Sequence, residues 1–196
     1  MSEELPLKDE LIRKAIEVFS LKGYAATNLT DITDALGVSR GPVYYHFKDK
    51  YGLYEAAYGL WERELRENNE RIYAQPYPGI LKQLEQTVYG CLDLYKRFHA
   101  TFFAGIETIP ELAELKERFL AVTREVYDLK LVAVRRAIET GEIRRDIAPE
   151  LIVQMIYILY DGIRMGWERA ELPLKEADIR EIVAIHMEGL ERTCCA

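Results

Sequence analysis

Val38-Ser39-Arg40-Gly41-Pro42-Val43-Tyr44-Tyr45-His46-Phe47-Lys48-Asp49-Lys50-Tyr51-Gly52-Leu53 reads as a short helix opened by a serine cap, a tight bend, and the start of a second helix. Val43 and Phe47 stand one turn apart and point inward together. The polar and basic side chains between them gather where a face would meet a phosphate-lined groove. The segment is too short to build a core of its own, so its neighbours must supply one.

Upstream, Leu11, Ile12, Ala15, Ile16 and Phe19 share one helix face, and Lys22-Gly23-Tyr24 supplies a stop. Thr30 precedes Asp31-Ile32-Thr33-Asp34-Ala35-Leu36. A threonine cap followed by acids in the first turn starts a helix, and Gly37 ends it. A longer helix followed by two short ones across a glycine turn makes a helix-turn-helix unit.

Downstream, Asp49 caps a fourth helix running to about Asn69, and Tyr73 to Gly79, with two prolines and a glycine, is a loop. Further helices are expected over Ile80 to His99 and Thr101 to Thr108. Pro110 opens a long one whose seam is Leu112, Leu115, Phe119, Val122, Val126, Leu129 and Ala133, ended by Thr140-Gly141. Pro149 opens another helix to about Glu171, Leu172-Pro173-Leu174 breaks it, and a last helix covers about Lys175 to Arg192. No stretch reads as a strand, and the expected fold is all-α.

The chain has 196 residues and a formal net charge of -7, which argues against a protein that coats nucleic acid nonspecifically. A local basic patch remains compatible with DNA binding, because the field at the contact face is what counts. Cys91 stands alone in an apolar run, and Cys194 and Cys195 are adjacent, so no disulfide framework or zinc site is indicated. Met1-Ser2-Glu3-Glu4 lacks a signal-peptide layout, and Leu151 to Tyr160, interrupted by Gln154, falls short of the roughly 20 residues that span a bilayer. The expectation is a reducing cytoplasm, no membrane and no cofactor.

The major groove admits a helix, and a recognition helix offers its N-terminal residues to base edges. Here these are Ser39, Arg40, Gly41, Pro42, Tyr44 and Tyr45. Arg40 can bond a guanine edge in two places or simply hold a phosphate. The tyrosine rings can pack on a thymine methyl while their hydroxyls reach phosphate oxygens. Gly41 and Pro42 keep the helix surface low. His46, Lys48 and Lys50 suit phosphates, and the start of the second helix at Thr30 can offer an N–H to another.

At Phe19, Gly23, Tyr24, Thr27, Ile32, Gly37, Val38, Ser39, Gly41, Val43, Tyr44, His46, Phe47, Lys50 and Leu53, in order and spacing, the chain resembles the TetR family of bacterial transcriptional regulators. Thr33, Leu36 and Asn28 depart from the family's usual alanine, alanine and Thr or Ser. The resemblance covers about the first quarter of the chain. It implies a helix-turn-helix DNA-binding domain at residues 1–48, with Thr27 joining the DNA-facing set, and a larger helical ligand-binding and dimerisation domain at 49–196, its connecting helix at about 49–69. It also implies a homodimer on a roughly palindromic double-stranded operator, usually as a repressor, released by a small-molecule effector. The last two helices are the implied dimer face, through Ile152, Met155, Ile156, Leu159, Ile163, Gly166 and Ala170 on one and Ile179, Ile182, Val183, His186 and Leu190 on the other.

An effector pocket between helices is mostly apolar with a few polar anchors. The candidates are Trp61, Tyr89, Phe98, Phe102, Phe103, Tyr127, Tyr157, Tyr160 and Trp167. Asp161 either pairs with Arg164 one turn on or, with Glu107 or His99, anchors a cationic or hydrogen-bonding ligand. An enzyme is not indicated: there is no nucleophile with an ordered base, no metal-ligand cluster and no phosphate-cradling glycine loop. The competing reading is a helical ligand carrier or interaction adaptor without specific DNA binding, against which the intact Ser39 to Lys50 run speaks.

Overall fold

The computed structural model describes residues 7–168 and 174–195. Among these the regular structure is helical: α1 (Leu7–Ala26), α2 (Leu29–Leu36), α3 (Gly41–Phe47), α4 (Lys50–Ala74), α5 (Ile80–Arg97), α6 (Ala113–Glu139), α7 (Pro149–Glu168) and α8 (Glu176–Cys194). Short 3₁₀ turns lie at Ala100–Phe103 and Pro110–Leu112. The all-α expectation holds.

Local details differ from the sequence reading for physical reasons. α1 does not stop at Gly23 but kinks there, at φ 75°, and helical turns resume to Ala26. α2 begins before Thr30: the Asp31 carboxylate accepts the Asn28 N–H at 2.8 Å, so Asn28 takes the cap position and Thr30 falls in the first turn. Ser39 is not the cap of α3, because Arg40 occupies that place. Asp49 does cap α4, its Oδ1 accepting the Gly52 N–H at 2.8 Å. α4 runs past Asn69 to Ala74. The helix expected over Thr101 to Thr108 is only the 3₁₀ turn and a run of turns, since Gly105 takes φ 89° and its carbonyl accepts the Ile109 N–H. The expected break at Leu172-Pro173 lies outside the described residues.

The chain forms two compact units. The first comprises the described residues through Leu65 with Leu94–Val122. Its centre is aromatic: Phe19 meets Tyr54 edge-on with ring centres 4.9 Å apart, and Tyr54 lies 4.9 Å from Tyr24 and 5.0 Å from Phe102. The Tyr54 hydroxyl donates to the Phe102 carbonyl at 2.6 Å, which satisfies a buried polar group. Ser20 Oγ donates to the Arg97 carbonyl at 3.0 Å, fixing the end of α5 on α1. From α6, Arg118 reaches α4, donating from Nε to Glu62 at 3.2 Å and from Nη1 to Glu55 at 3.4 Å.

The second unit comprises Arg66–Asp93 and the described residues from Thr123 onward. Its apolar core draws Leu84 and Val88 from α5, Val134 from α6, Ile152, Ile156 and Ile163 from α7, and Ile179 and Val183 from α8. Burial of such side chains contributes roughly 1.5–3 kcal/mol each before conformational entropy is counted.

Candidate nucleic-acid interface

α3 belongs to the first unit and is seated by Val43 and Phe47, both buried. Its other face is bare. Tyr44 is 53% exposed and Tyr45 84% exposed, and Ser39, Arg40, Gly41, His46 and Lys48 are exposed with them. Pro42 is half-buried. Large aromatic rings left in water on a seven-residue helix add nothing to the fold, so their use lies outside it. Arg40 and Lys48 add fixed positive charge to a chain that is acidic as a whole.

The joint after α3 is unusually tight. The Phe47 carbonyl accepts the Asp49 N–H at 2.9 Å, a three-residue turn that places Lys48 at φ 69°. Lys50 half-buries its stem and donates from Nζ to the Tyr24 carbonyl at 3.0 Å, with Nζ 4.3 Å from the Tyr24 ring centre. Lys50 therefore ties α4 to the end of α1 through one of its three ammonium protons. Thr27, expected among the DNA-facing residues, is instead 1% exposed, and its hydroxyl donates to the Gly23 carbonyl at 2.7 Å. Both hydrogen bonds therefore end on carbonyls at the end of α1. Thr30 is half-buried in the first turn of α2.

The expected pocket residues divide between the two units. In the first, Phe98 and Phe102 are fully buried core, and Trp61 is buried against Phe119, with ring centres 5.5 Å apart, and Phe103. His99 and Glu107 are exposed. In the second, Tyr89, Tyr127, Tyr157, Tyr160 and Trp167 are half-buried against the core, and Asp161 is exposed with Arg164 Nε 3.4 Å from its Oδ1. The ion pair with Arg164 is the arrangement found.

The apolar stripe read as a dimer face is mostly inward. Ile152, Ile156, Leu159, Ile163, Ile179, Val183 and Leu190 are buried within the second unit, so none is available to a partner. Gly166, Ile182 and His186 are half-buried, Met155 is exposed, and Ala170 lies outside the described residues. What α7 does present is Leu151, Met155, Ile158 and Met165, with Ile185 on α8. Sequence reading also passed over Lys130, whose signal was its place on the every-fourth-residue stripe Val122, Val126, Lys130 and Val134.

Residues 11–57, which contain the whole helix-turn-helix and its joint to α4, match the bacterial regulatory proteins of the tetR family. The HTH-type transcriptional repressor BepR of Brucella suis is 25% identical over 180 residues, covering 87% of this chain and 84% of its own. The HTH-type transcriptional regulator AcrR of Shigella flexneri is 26% identical over 192 residues, covering 92% and 87%. The chain belongs to the TetR family. Among solved structures, a TetR transcriptional regulator from Chloroflexus aurantiacus superposes with a TM-score of 0.76 at 21% identity, covering 96% of each chain. The ketosteroid transcriptional regulator KstR2 of Mycobacterium tuberculosis gives 0.74 at 19% identity, covering 99% of this chain and 97% of its own. These likenesses extend the TetR fold over the whole chain. As a TetR protein it is a DNA-binding transcriptional regulator, and among the described residues no helix is long and apolar enough to cross a membrane.

Proposed function

We propose that this TetR protein is a cytoplasmic, ligand-responsive repressor that binds a roughly palindromic operator as a homodimer. One observation carries the reading: α3 buries Val43 and Phe47 and holds Tyr44, Tyr45, His46 and Lys48 in the open. Residues 1–48 serve as the reading head and 49–196 as the effector and dimerisation part. Tyr44 and Tyr45 meet base edges and sugar–phosphate, Arg40 a base or phosphate, and His46 and Lys48 phosphates. Effector and DNA favour different conformers, so each weakens the binding of the other.

Selection of duplexes from a random library by the purified protein tests this directly. The expected product is an inverted repeat. Tyr44→Ala lowers affinity for it by about 1–3 kcal/mol, and Lys48→Ala weakens all sequences alike while reducing the salt slope by about one. Failure to enrich any duplex, with both variants folded, would leave the carrier or adaptor reading in its place.

The dimer face is assigned to the exposed stripe Leu151, Met155, Ile158 and Met165 with Ile185, not to the buried one. A row of apolar side chains at spacings of three and four on a solvent face suits pairing with its symmetry mate. Ile158, 61% exposed, gains nothing within the chain from being apolar. Ile158→Glu is expected to keep the helical content and give a monomer by light scattering, with operator affinity reduced at least about tenfold. A dimer that survives this change would place the interface elsewhere.

A further inference from the structure

Among the described residues, the second unit holds a buried cation with no carboxylate beside it. Lys130 is 2% exposed. Its Nζ donates to the Val126 carbonyl at 3.3 Å and lies 3.5 Å from the Tyr157 hydroxyl and 5.1 Å from the Tyr157 ring centre. Both polar distances exceed the ordinary range for such bonds, and an ammonium has three protons to place. Among the described residues no carboxylate pairs with it. A buried ammonium in this state is costly unless something of opposite charge arrives.

Four helices bring polar groups to this place. Tyr73 comes from α4, Thr87 and Cys91 from α5, Lys130 from α6 and Tyr157 from α7; Thr87 Oγ1 donates to the Tyr73 hydroxyl at 3.4 Å. Tyr127 stacks on Tyr157 with ring centres 6.0 Å apart. Tyr73, Cys91 and Tyr157 lie deep enough that burial pushes all three pKa values up, yet each keeps accessible surface. The described groups around Lys130 and the Tyr157 hydroxyl are largely aromatic and thiol.

We propose that the Lys130 ammonium, with the Tyr157 hydroxyl, receives the carboxylate of an amphipathic effector whose aryl or alkyl body lies among the surrounding aromatic side chains. This rests on the ligand-responsive reading above and names the chemical class of the effector. One positive charge and one hydroxyl donor match the single charge and two oxygens of a carboxylate. A phosphate dianion would leave a buried negative charge uncompensated, and a cationic ligand would meet the ammonium head-on.

Calorimetric titration of the full-length protein tests the assignment. The probes are straight-chain carboxylates from hexanoate to hexadecanoate, benzoate and 2-naphthoate, each run against its primary amide. At least one carboxylate is expected to bind about tenfold or more tightly than its amide, and Lys130→Met, which keeps the side-chain length, is expected to erase that preference. Tyr157→Phe is expected to weaken the carboxylate severalfold while keeping the preference. Circular dichroism melts confirm that both variants are folded. No binding by any carboxylate, equal binding by the amides, or a preference that survives in folded Lys130→Met would overturn the proposal. Duplex selection on the same preparation separates the two readings. Carboxylate binding through Lys130 without an operator keeps this site and sinks the regulator reading. An operator without charge preference does the reverse.

Discussion

Gly52→Ala lowers the stability of the protein by about 3 kcal/mol, a fall in Tm of about 8 °C, and removes operator binding. The cause is a single backbone atom. A Cβ on Gly52 would stand 2.0 Å from the Phe47 carbonyl oxygen, far inside any tolerable contact. That oxygen cannot simply turn away, because it accepts the Asp49 N–H in the turn that joins α3 to α4. The same turn is pinned by the Gly52 N–H on Asp49 and by Lys50 on the Tyr24 carbonyl. Making room for a methyl group therefore means opening the turn, and the end of α3 moves with it. Tyr44 and Tyr45 are carried on that helix, so their aim is lost along with the stability.

Gly59→Ala is the control. It lies on the same helix, and its nearest neighbour to an added Cβ is Arg118 Nη2 at 3.8 Å, an ordinary contact. Alanine there should raise stability by about 0.5–1 kcal/mol through the helix propensity of α4. Thermal melts of the two variants, with binding to the selected operator, check the pair. A Gly52→Ala protein that melts with the wild type and binds the operator would show that the turn is looser than its hydrogen bonds imply.

Legibility followed how local the determinants are. The helices and the helix-turn-helix were readable because Gly37, Val38, Val43 and Phe47 act over a few residues, and periodicity reports one buried face at a time. Thr27 and Lys50 look like DNA contacts by residue type, and only the fold shows them bonded to carbonyls of α1. Gly52 reads as a generic helix weakener until the carbonyl of the preceding helix is placed beside it. α7 is apolar on two faces, so its period cannot say which face the chain keeps for itself. Ile152, Ile156 and Ile163 went inward and left Leu151, Ile158 and Met165 outside. Lys130 was passed over because a lysine shifts the apparent seam of α6 to Leu129 and Ala133, whereas the buried line runs through Val126, Lys130 and Val134.

Lys130→Met makes the protein more stable at pH 7, by about 2 kcal/mol and on the order of 5 °C in Tm. Burial pushes the Lys130 pKa down from 10.5 to about 8, with the nearby Cys91 thiol pulling weakly the other way. Below about pH 8 the folded and unfolded chains both carry the proton, and the folded chain bears the whole cost of an enclosed charge, about 3 kcal/mol for a shift of this size. Between about pH 8 and 10.5 the unfolded chain keeps its proton while the folded chain releases it, so the wild type gains stability as the pH rises. Methionine has no such cost at any pH. The stability gap should therefore be widest at neutral pH and close steadily as the pH is raised from 7 towards 10. The groups facing Lys130 do not mask this. Burial pushes Cys91, Tyr73 and Tyr157 upward, so they stay neutral while the ammonium gives up its proton. Tyr127 packs against Tyr157, and the Asp161 carboxylate is at the surface with Arg164. Denaturant titrations of both proteins at several pH values measure the gap. A destabilised Lys130→Met, or a gap flat with pH, would mean that the ammonium is already compensated in the free protein. A stabilised variant that has also lost its preference for carboxylates would show that the same unpaired charge which weakens the fold is what the ligand recognises.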